Sequence, residues 1–214
     1  AAFKAAMDGF QVAVLVPTTV LAQQHYQTFA ARFAEFAPKV DVVCRFRSVR
    51  EQAATLHEVA RGRVDILIGT HAILNRKRVR FQNLGLLIVD EEQRFGVTQK
   101  EKIKEFAAGV DVLTLSATPI PRTLAMTVYG DLDVSIIDEL PPGRKPIKTV
   151  HYYQDNSSQL YDGLRYQLGL GRQAYVVYPL IKENAQMDLK ALEQGFESLR
   201  EVFSDMDIGV VHGQ

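Results

Sequence analysis

The stretch Leu84-Gly85-Leu86-Leu87-Ile88-Val89-Asp90-Glu91-Glu92-Gln93-Arg94-Phe95-Gly96-Val97 decides how this chain folds. Four consecutive aliphatics, Leu86 to Val89, fit a strand buried on both faces, as in a parallel sheet covered by helices. Three carboxylates and an amide follow where that strand must emerge. Open α/β sheets bind ligands at the carboxyl ends of their strands. A carboxylate there can hold a hydrated Mg²⁺, and a second can orient a water that attacks a nucleoside triphosphate. Taken alone, the same pattern also describes a strand followed by a solvated acidic turn.

Upstream, residues 1–8 read as the end of a helix stopped by Gly9. Gln11 to Val16 is a strand closed by Pro17. Thr18 or Thr19 can cap a helix from Val20 to about Phe36, with Leu21, Tyr26, Phe29, Phe33 and Phe36 as its apolar stripe. A second strand spans Val40 to Cys44, a helix Val49 to Ala60, and a third strand Val64 to Ile68. Gly69-Thr70-His71 and a short helix or loop to Leu74 come next. Downstream of the acidic cluster stand a helix from Gln99 to Ala107 and a strand from Val110 to Leu115. Strands and helices alternating on this spacing predict an α/β fold with a parallel, doubly wound sheet.

After Ser116-Ala117-Thr118-Pro119 the pattern predicts a helical segment from Pro121 to about Tyr129. Residues 138–146, DELPPGRKP, have a linker's composition. The domain reading is therefore residues 1–140, a linker over 141–148, and a second unit over 149–214. In that unit the pattern predicts strands at Thr149–Tyr153, Gln173–Tyr178 and from Ile208, with helices at Ser157–Leu168 and Asp188–Phe203. Leu189, Leu192, Phe196 and Leu199 share one face of the latter.

The 214 residues carry 25 Lys and Arg against 25 Asp and Glu. The balance is uneven: residues 1–117 hold 16 basic and 12 acidic side chains, the remainder 9 and 13. Arg45, Arg47, Arg50, Arg76, Lys77, Arg78 and Arg80 make up much of the basic excess. Such clusters can neutralise phosphates, and they can equally be plain solvated surface. The single Cys44 excludes an internal disulfide framework and fits a reducing cytoplasm. No apolar run approaches the roughly 18 residues that span a bilayer, and no signal-peptide pattern opens the sequence. Cys44 reads as a small buried hydrophobe, and His57 and His151 as surface residues without a partner at metal spacing. His25 is either a DNA contact or part of a helix face.

Four groups fall at successive strand ends: Pro17-Thr18-Thr19, Gly69-Thr70-His71, Asp90 to Gln93, and Ser116 to Pro119. Small hydroxyl residues and exposed amides suit phosphate contacts, whether from a nucleotide or from a DNA strand. Each alone is also an ordinary helix cap or turn. Their order, PTTVLAQQH, GTH, DEEQ, SATPIPRT and a later VHGQ, resembles the superfamily 2 helicases and translocases. Within these it is most similar to the bacterial RecG and transcription-repair coupling factor (Mfd) group. The likeness covers essentially the whole chain, with IVDEEQRFGV and ATPIPRTLAM its most specific stretches. Residues 10–117 look like the coupling factor, whereas RecG usually has DEQH in place of DEEQ. Residues 124–214, with YGDLDVSIIDELPPGRKPIKT and VVYPLIKENAQMDLKALEQ, look like RecG.

The resemblance implies RecA-like parallel sheets, one nearly complete domain and the start of a second. It implies ATP and Mg²⁺ as cofactors, with Asp90 holding Mg²⁺ through water, Glu91 positioning the hydrolytic water, and Gln93 coupling the nucleotide to Ser116, Ala117 and Thr118. Arg122 and Thr123 would lie near an interdomain cleft. Pro17, Thr18, Thr19, Gln23, Gly69, Thr70 and His71 would track a DNA backbone, and His212 and Gly213 would open a DNA-facing motif. The implied function is that of an ATP-dependent translocase of double-stranded or branched DNA in repair or recombination. Fork remodelling, or displacement of stalled RNA polymerase together with repair proteins, is the implied work, in a bacterial, nucleoid-associated cytoplasm without a membrane. No GxxxxGK[ST] phosphate loop and no arginine-finger motif occur in residues 1–214, so these residues alone are expected to hydrolyse little ATP. The alternative is an inactive, helicase-like scaffold that binds DNA or protein. Intact Asp90, Glu91 and the SAT motif favour the motor.

Overall fold

The computed structural model describes residues 1–117, 133–153, 157–177 and 195–211. The chain divides into two compact units, residues 1–136 and 137–214. In the first, five strands among the described residues form one parallel sheet: β1 (Gln11–Leu15), β2 (Val40–Val43), β3 (Ile66–Gly69), β4 (Leu84–Asp90) and β5 (Asp111–Leu115). Their order is β2-β3-β1-β4-β5. The doubly wound expectation holds, because helices cover both faces.

On one face α1 (Ala2–Met7) and α2 (Thr19–Phe33) pack on Val12, Val14, Ile66, Ile68, Leu86 and Ile88. On the other, α3 (Val49–Ala60), a 3₁₀ turn at His71–Leu74 and α4 (Val97–Phe106) pack on Ala13, Leu15, Leu67, Leu87 and Val89. Alternate residues of each central strand thus feed two cores, which is why these strands read as unbroken aliphatic runs. Leu15, Leu67 and Leu87 are fully enclosed.

Local chemistry fixes the element ends. Gly9 ends α1 at φ +85°, with its N–H on the Ala6 carbonyl and that of Phe10 on the Ala5 carbonyl. Thr18 caps α2, its Oγ1 accepting from Leu21 N at 3.2 Å. α3 opens on a capping box between Ser48 and Glu51. One buried polar side chain clasps the far end of the sheet. Gln11 donates through Nε2 to the carbonyls of Val59 and Val64 and accepts through Oε1 from the amides of Gln82 and Asn83. Gly85 is needed for close approach, since a Cβ there would lie 2.6 Å from the Phe10 ring.

Several boundaries differ from the sequence reading by one to three residues. α2 ends at Phe33 rather than Phe36, where Phe36 N bonds the Phe33 carbonyl and the chain turns. α4 begins at Val97, two residues early, because Gly96 supplies its first turn.

In the second unit the helix Ser157–Gly169 forms, and residues 195–202 are helical. Arg165 holds the turn beyond the latter: its guanidinium donates to both Asp205 carboxylate oxygens and to the Val202 carbonyl and lies over the Phe203 ring. Leu199 and Phe203 are buried. The expected strands at 149–153, 173–177 and 208–211 pair with nothing among the described residues. A strand is a property of a pair, and an alternating pattern without a ladder stays extended chain. Tyr175 and Val177 accordingly stand exposed. Residues 137–150 hold one turn, at Gly143, and otherwise no regular structure. The segment Pro121–Tyr129 and residues 188–194 of the expected Asp188–Phe203 helix lie outside the described residues, as do Tyr178, Leu189 and Leu192.

Candidate functional site at the strand ends

All ladders run parallel, so all strands of the sheet end on one edge. Leu15 of β1 stands in register with Gly69 of β3 and Val89 of β4, and Asp90 of β4 with Leu115 of β5. Across that edge the groups therefore follow in spatial order: Gly69-Thr70-His71, Pro17-Thr18-Thr19, Asp90 to Gln93, then Ser116-Ala117. A hydrogen bond from Val16 N to the Gly69 carbonyl, 3.0 Å, holds the first two side by side. Thr118, Arg122, Thr123, His212 and Gly213 lie outside the described residues.

The acidic cluster is specifically shaped. β4 carries Asp90 to the strand end, with half-buried flanks. Glu91 then turns the chain at φ 53°, ψ 46°, the one non-glycine residue at positive φ among those described. That left-handed turn costs an ordinary side chain about 1 kcal/mol. It sends the chain straight into a 3₁₀ turn over Glu92–Arg94. Gln93 donates through Nε2 to Glu91 Oε2 at 2.7 Å and accepts through Oε1 from Ser116 Oγ at 3.2 Å. One amide thus joins the acidic turn to the end of β5. Arg94 Nε lies 3.4 Å from the same Glu91 oxygen, and Lys100 pairs with Glu92 at 3.7 Å.

Asp90 has a partner that the sequence did not reveal. Its Oδ2 lies 2.8 Å from His25 Nε2, across 65 residues of chain, with both side chains mostly covered. The carboxylate accepts, so Nε2 is the donor. His25 sits on α2 with its ring edge toward Phe29, at 6.1 Å and 64°. A cavity of about 270 Å³ opens beside the pair, with Phe3, Arg32 and Leu113 among its lining residues.

Mg²⁺ keeps several waters and takes only one or two protein carboxylates, the rest coming from phosphate oxygens. Asp90, with Oδ1 outside the His25 bond and Glu91 adjacent, fits that sparse demand. Among the described residues no group of three or more His, Cys, Asp or Glu could cage a metal by itself.

The expected backbone-tracking residues divide by environment. Thr18 and His71 are exposed at the edge, and Pro17, Thr19 and Gln23 are half-covered. Thr70 is buried, and Gly69 has a packing duty of its own: a Cβ there would meet Val43 O at 2.9 Å and Ile73 Cγ2 at 2.4 Å. Three of the basic side chains have protein partners. Arg47 pairs with Asp41 and lies over Tyr26, Arg78 bonds Gln52, and Arg76 caps the C-terminal carbonyls of α4. Arg45, Arg50, Lys77 and Arg80 are exposed. Cys44 is buried, and no helix among the described residues is long and apolar enough to cross a membrane.

Residues 1–127 match the DEAD/DEAH box helicase family. Over 97% of its length the chain is 41% identical to the ATP-dependent DNA helicase RecG of Aquifex aeolicus, spanning 26% of that protein. Over its full length it is 46% identical to the transcription-repair-coupling factor of Escherichia coli K12, of which it spans 18%. A solved structure of RecG bound to a three-way DNA junction superposes with a TM-score of 0.69. Its identity is 39%, over 91% of this chain and 25% of that one. The chain thus spans about a quarter or less of these relatives.

Proposed function

The chain belongs to the DEAD/DEAH box helicase family, and on that premise we propose that it forms the nucleotide-hydrolysing and DNA-tracking core of an ATP-dependent translocase on double-stranded or branched DNA. The observation that supports this most is the side-chain path Glu91–Gln93–Ser116 beside Asp90, on the same sheet edge as Pro17–Thr19 and Gly69–His71. A solvated acidic turn has no need of a strained glutamate tied by an amide to the next strand.

Bound Mg²⁺ and ATP supply the phosphoryl group and the charge neutralisation for its transfer to water. Asp90 holds the metal through water, and Glu91 orients the attacking water. Gln93 reports the state of that site to Ser116, Ala117 and Thr118, with Arg122 beyond them. Pro17, Thr18, Thr19, Gln23, Gly69, Thr70 and His71 follow the phosphate backbone, joined by His212 and Gly213 of the second unit. Residues 141–148 serve as the linker from residues 1–140 to residues 149–214, inside the second compact unit. The likeness to the junction-bound RecG makes branched DNA the preferred substrate class. The coupling-factor likeness extends the proposal to RNA polymerase and repair proteins as partners, in a bacterial cytoplasm.

The test is DNA-stimulated ATP hydrolysis by the full-length protein that carries this chain, with and without Glu91→Gln. Loss of an oriented general base costs about 10²–10⁴-fold, so the variant is expected to lose at least about 100-fold in kcat while still binding nucleotide. Equal rates in parent and variant would remove Glu91 from the role. Duplex binding itself is expected to weaken steeply with salt and to be indifferent to sequence.

A further inference from the structure

We propose that His25 is a positioning residue that ties the DNA-tracking end of α2 to the Asp90 carboxylate, so that duplex DNA and nucleotide sense one another through a single hydrogen bond. This rests on the function proposed above.

The first turn and the middle of α2 face different tasks. Its first turn is capped by Thr18 through the Oγ1–Leu21 N bond, which anchors the Pro17-Thr18-Thr19 loop to the helix. Less than two turns further along, His25 leaves the same helix and donates Nε2–H to Asp90 Oδ2 at 2.8 Å. The ring is steered by its edge contact with Phe29 on the next turn of α2. Each side chain is about three-quarters covered or more, at 26% and 18% exposure, so water competes weakly for the bond.

A tether between α2 and the sheet could use any polar residue at a strand end. This one uses the carboxylate to which the proposed chemistry assigns the metal. With Oδ2 held by His25, the carboxylate cannot rotate freely, and Oδ1 is the oxygen left for a metal-bound water. Hydrogen bonds occupy a narrow window, about 2.7–3.2 Å. A shift of α2 of about 1 Å, such as a backbone phosphate could impose at Thr18 and Thr19, takes the pair out of that window and releases Asp90. The pair therefore has two arrangements, bonded and released, and both ligands bias the same element. Coupling of that kind is reciprocal, with typical factors of about 5–150 in affinity.

The experiment is equilibrium binding in the full-length protein that carries this chain. Fluorescence anisotropy of a labelled duplex gives the DNA Kd without nucleotide and with Mg²⁺ plus a non-hydrolysable ATP analogue. In the parent the two Kd values are expected to differ by at least about 5-fold. His25→Ala brings them within about 2-fold of each other. His25→Gln restores most of the ratio, because its Nε2 amide reaches as far as the imidazole Nε2 and keeps the donor. Thermal melting of each variant confirms the fold. The proposal is overturned by a parental ratio near one, by His25→Ala keeping the parental ratio, or by His25→Gln failing as fully as His25→Ala. An Asp90→Asn control separates the two ideas. If Asp90→Asn hydrolyses ATP as the parent does, the proposed function itself has failed.

Discussion

Glu91 carries a backbone conformation that favours glycine, and it carries it at the proposed catalytic position. Strain of this kind persists when the surroundings over-determine it. Here they do: β4 fixes one side, and the Glu92–Arg94 turn and Gln93 amide fix the other. Glu91→Gly is therefore expected to raise stability by about 1 kcal/mol while abolishing hydrolysis, whereas Glu91→Ala loses hydrolysis without that gain. Urea unfolding of both variants reads the difference, and equal stabilities would show that the turn is unstrained. Gln93 is chosen for its two different ends. Glu91 only accepts, so the side chain facing it must donate, while the Ser116 hydroxyl can do either. The acidic cluster was visible in the sequence as four adjacent letters. The His25–Asp90 partnership was not, since nothing local in PTTVLAQQH names a partner 65 residues away.

Secondary structure was most legible where one element satisfies itself. α3 runs from Val49 to Ala60 as its pattern predicts, because Ser48 and Glu51 close its first turn with bonds inside four residues. That box has a pH signature. The Ser48 hydroxyl, then the Ser48 amide, donate to Glu51 and hold its carboxyl below the usual glutamate range; slight burial opposes them. A carboxyl whose pKa is lower folded than unfolded adds stability that is complete above the unfolded value and disappears as pH falls through the folded one. The stability advantage of the parent over Glu51→Gln is thus expected to be flat at neutral pH and to shrink as pH falls below the ordinary glutamate value of about 4.3. An advantage that grows on acidification would contradict the box. Strands were legible in the first unit because Leu86–Val89 and its neighbours are buried on both faces and need an unbroken apolar run. In the second unit Gln173–Val177 finds no ladder among the described residues, since a pattern states what a strand would bury and not what it would pair with. Gln11 looked like an ordinary polar start to β1. It is instead a buried clasp with four backbone bonds, and only the fold brings those partners to it.

At the scale of the molecule, β5 stands at the edge of the sheet among the described residues, and each of its residues is exposed, Val112 at 41%, Leu113 at 36% and Leu115 at 40%. An apolar edge strand is a template for pairing with another chain. Residues 1–214 by themselves are expected to self-associate at about 100 µM, and Val112→Lys to suppress it, as followed by sedimentation velocity. A monomeric parent at that concentration would show that the edge is blunted. The strand order sets a further consequence, in time rather than in energy. β1 is made before β2 yet lies between β3 and β4, with Val12 opposite Ile66 on one side and Leu86 on the other. β1 must therefore wait for β3, and then for β4, to leave the ribosome before both of its edges are paired. Domains emerge at about 5–20 residues per second, so Val12–Leu15 spends seconds as an aliphatic segment without a sheet. A strand fully enclosed in the finished sheet is thus left open while its partners are still being made.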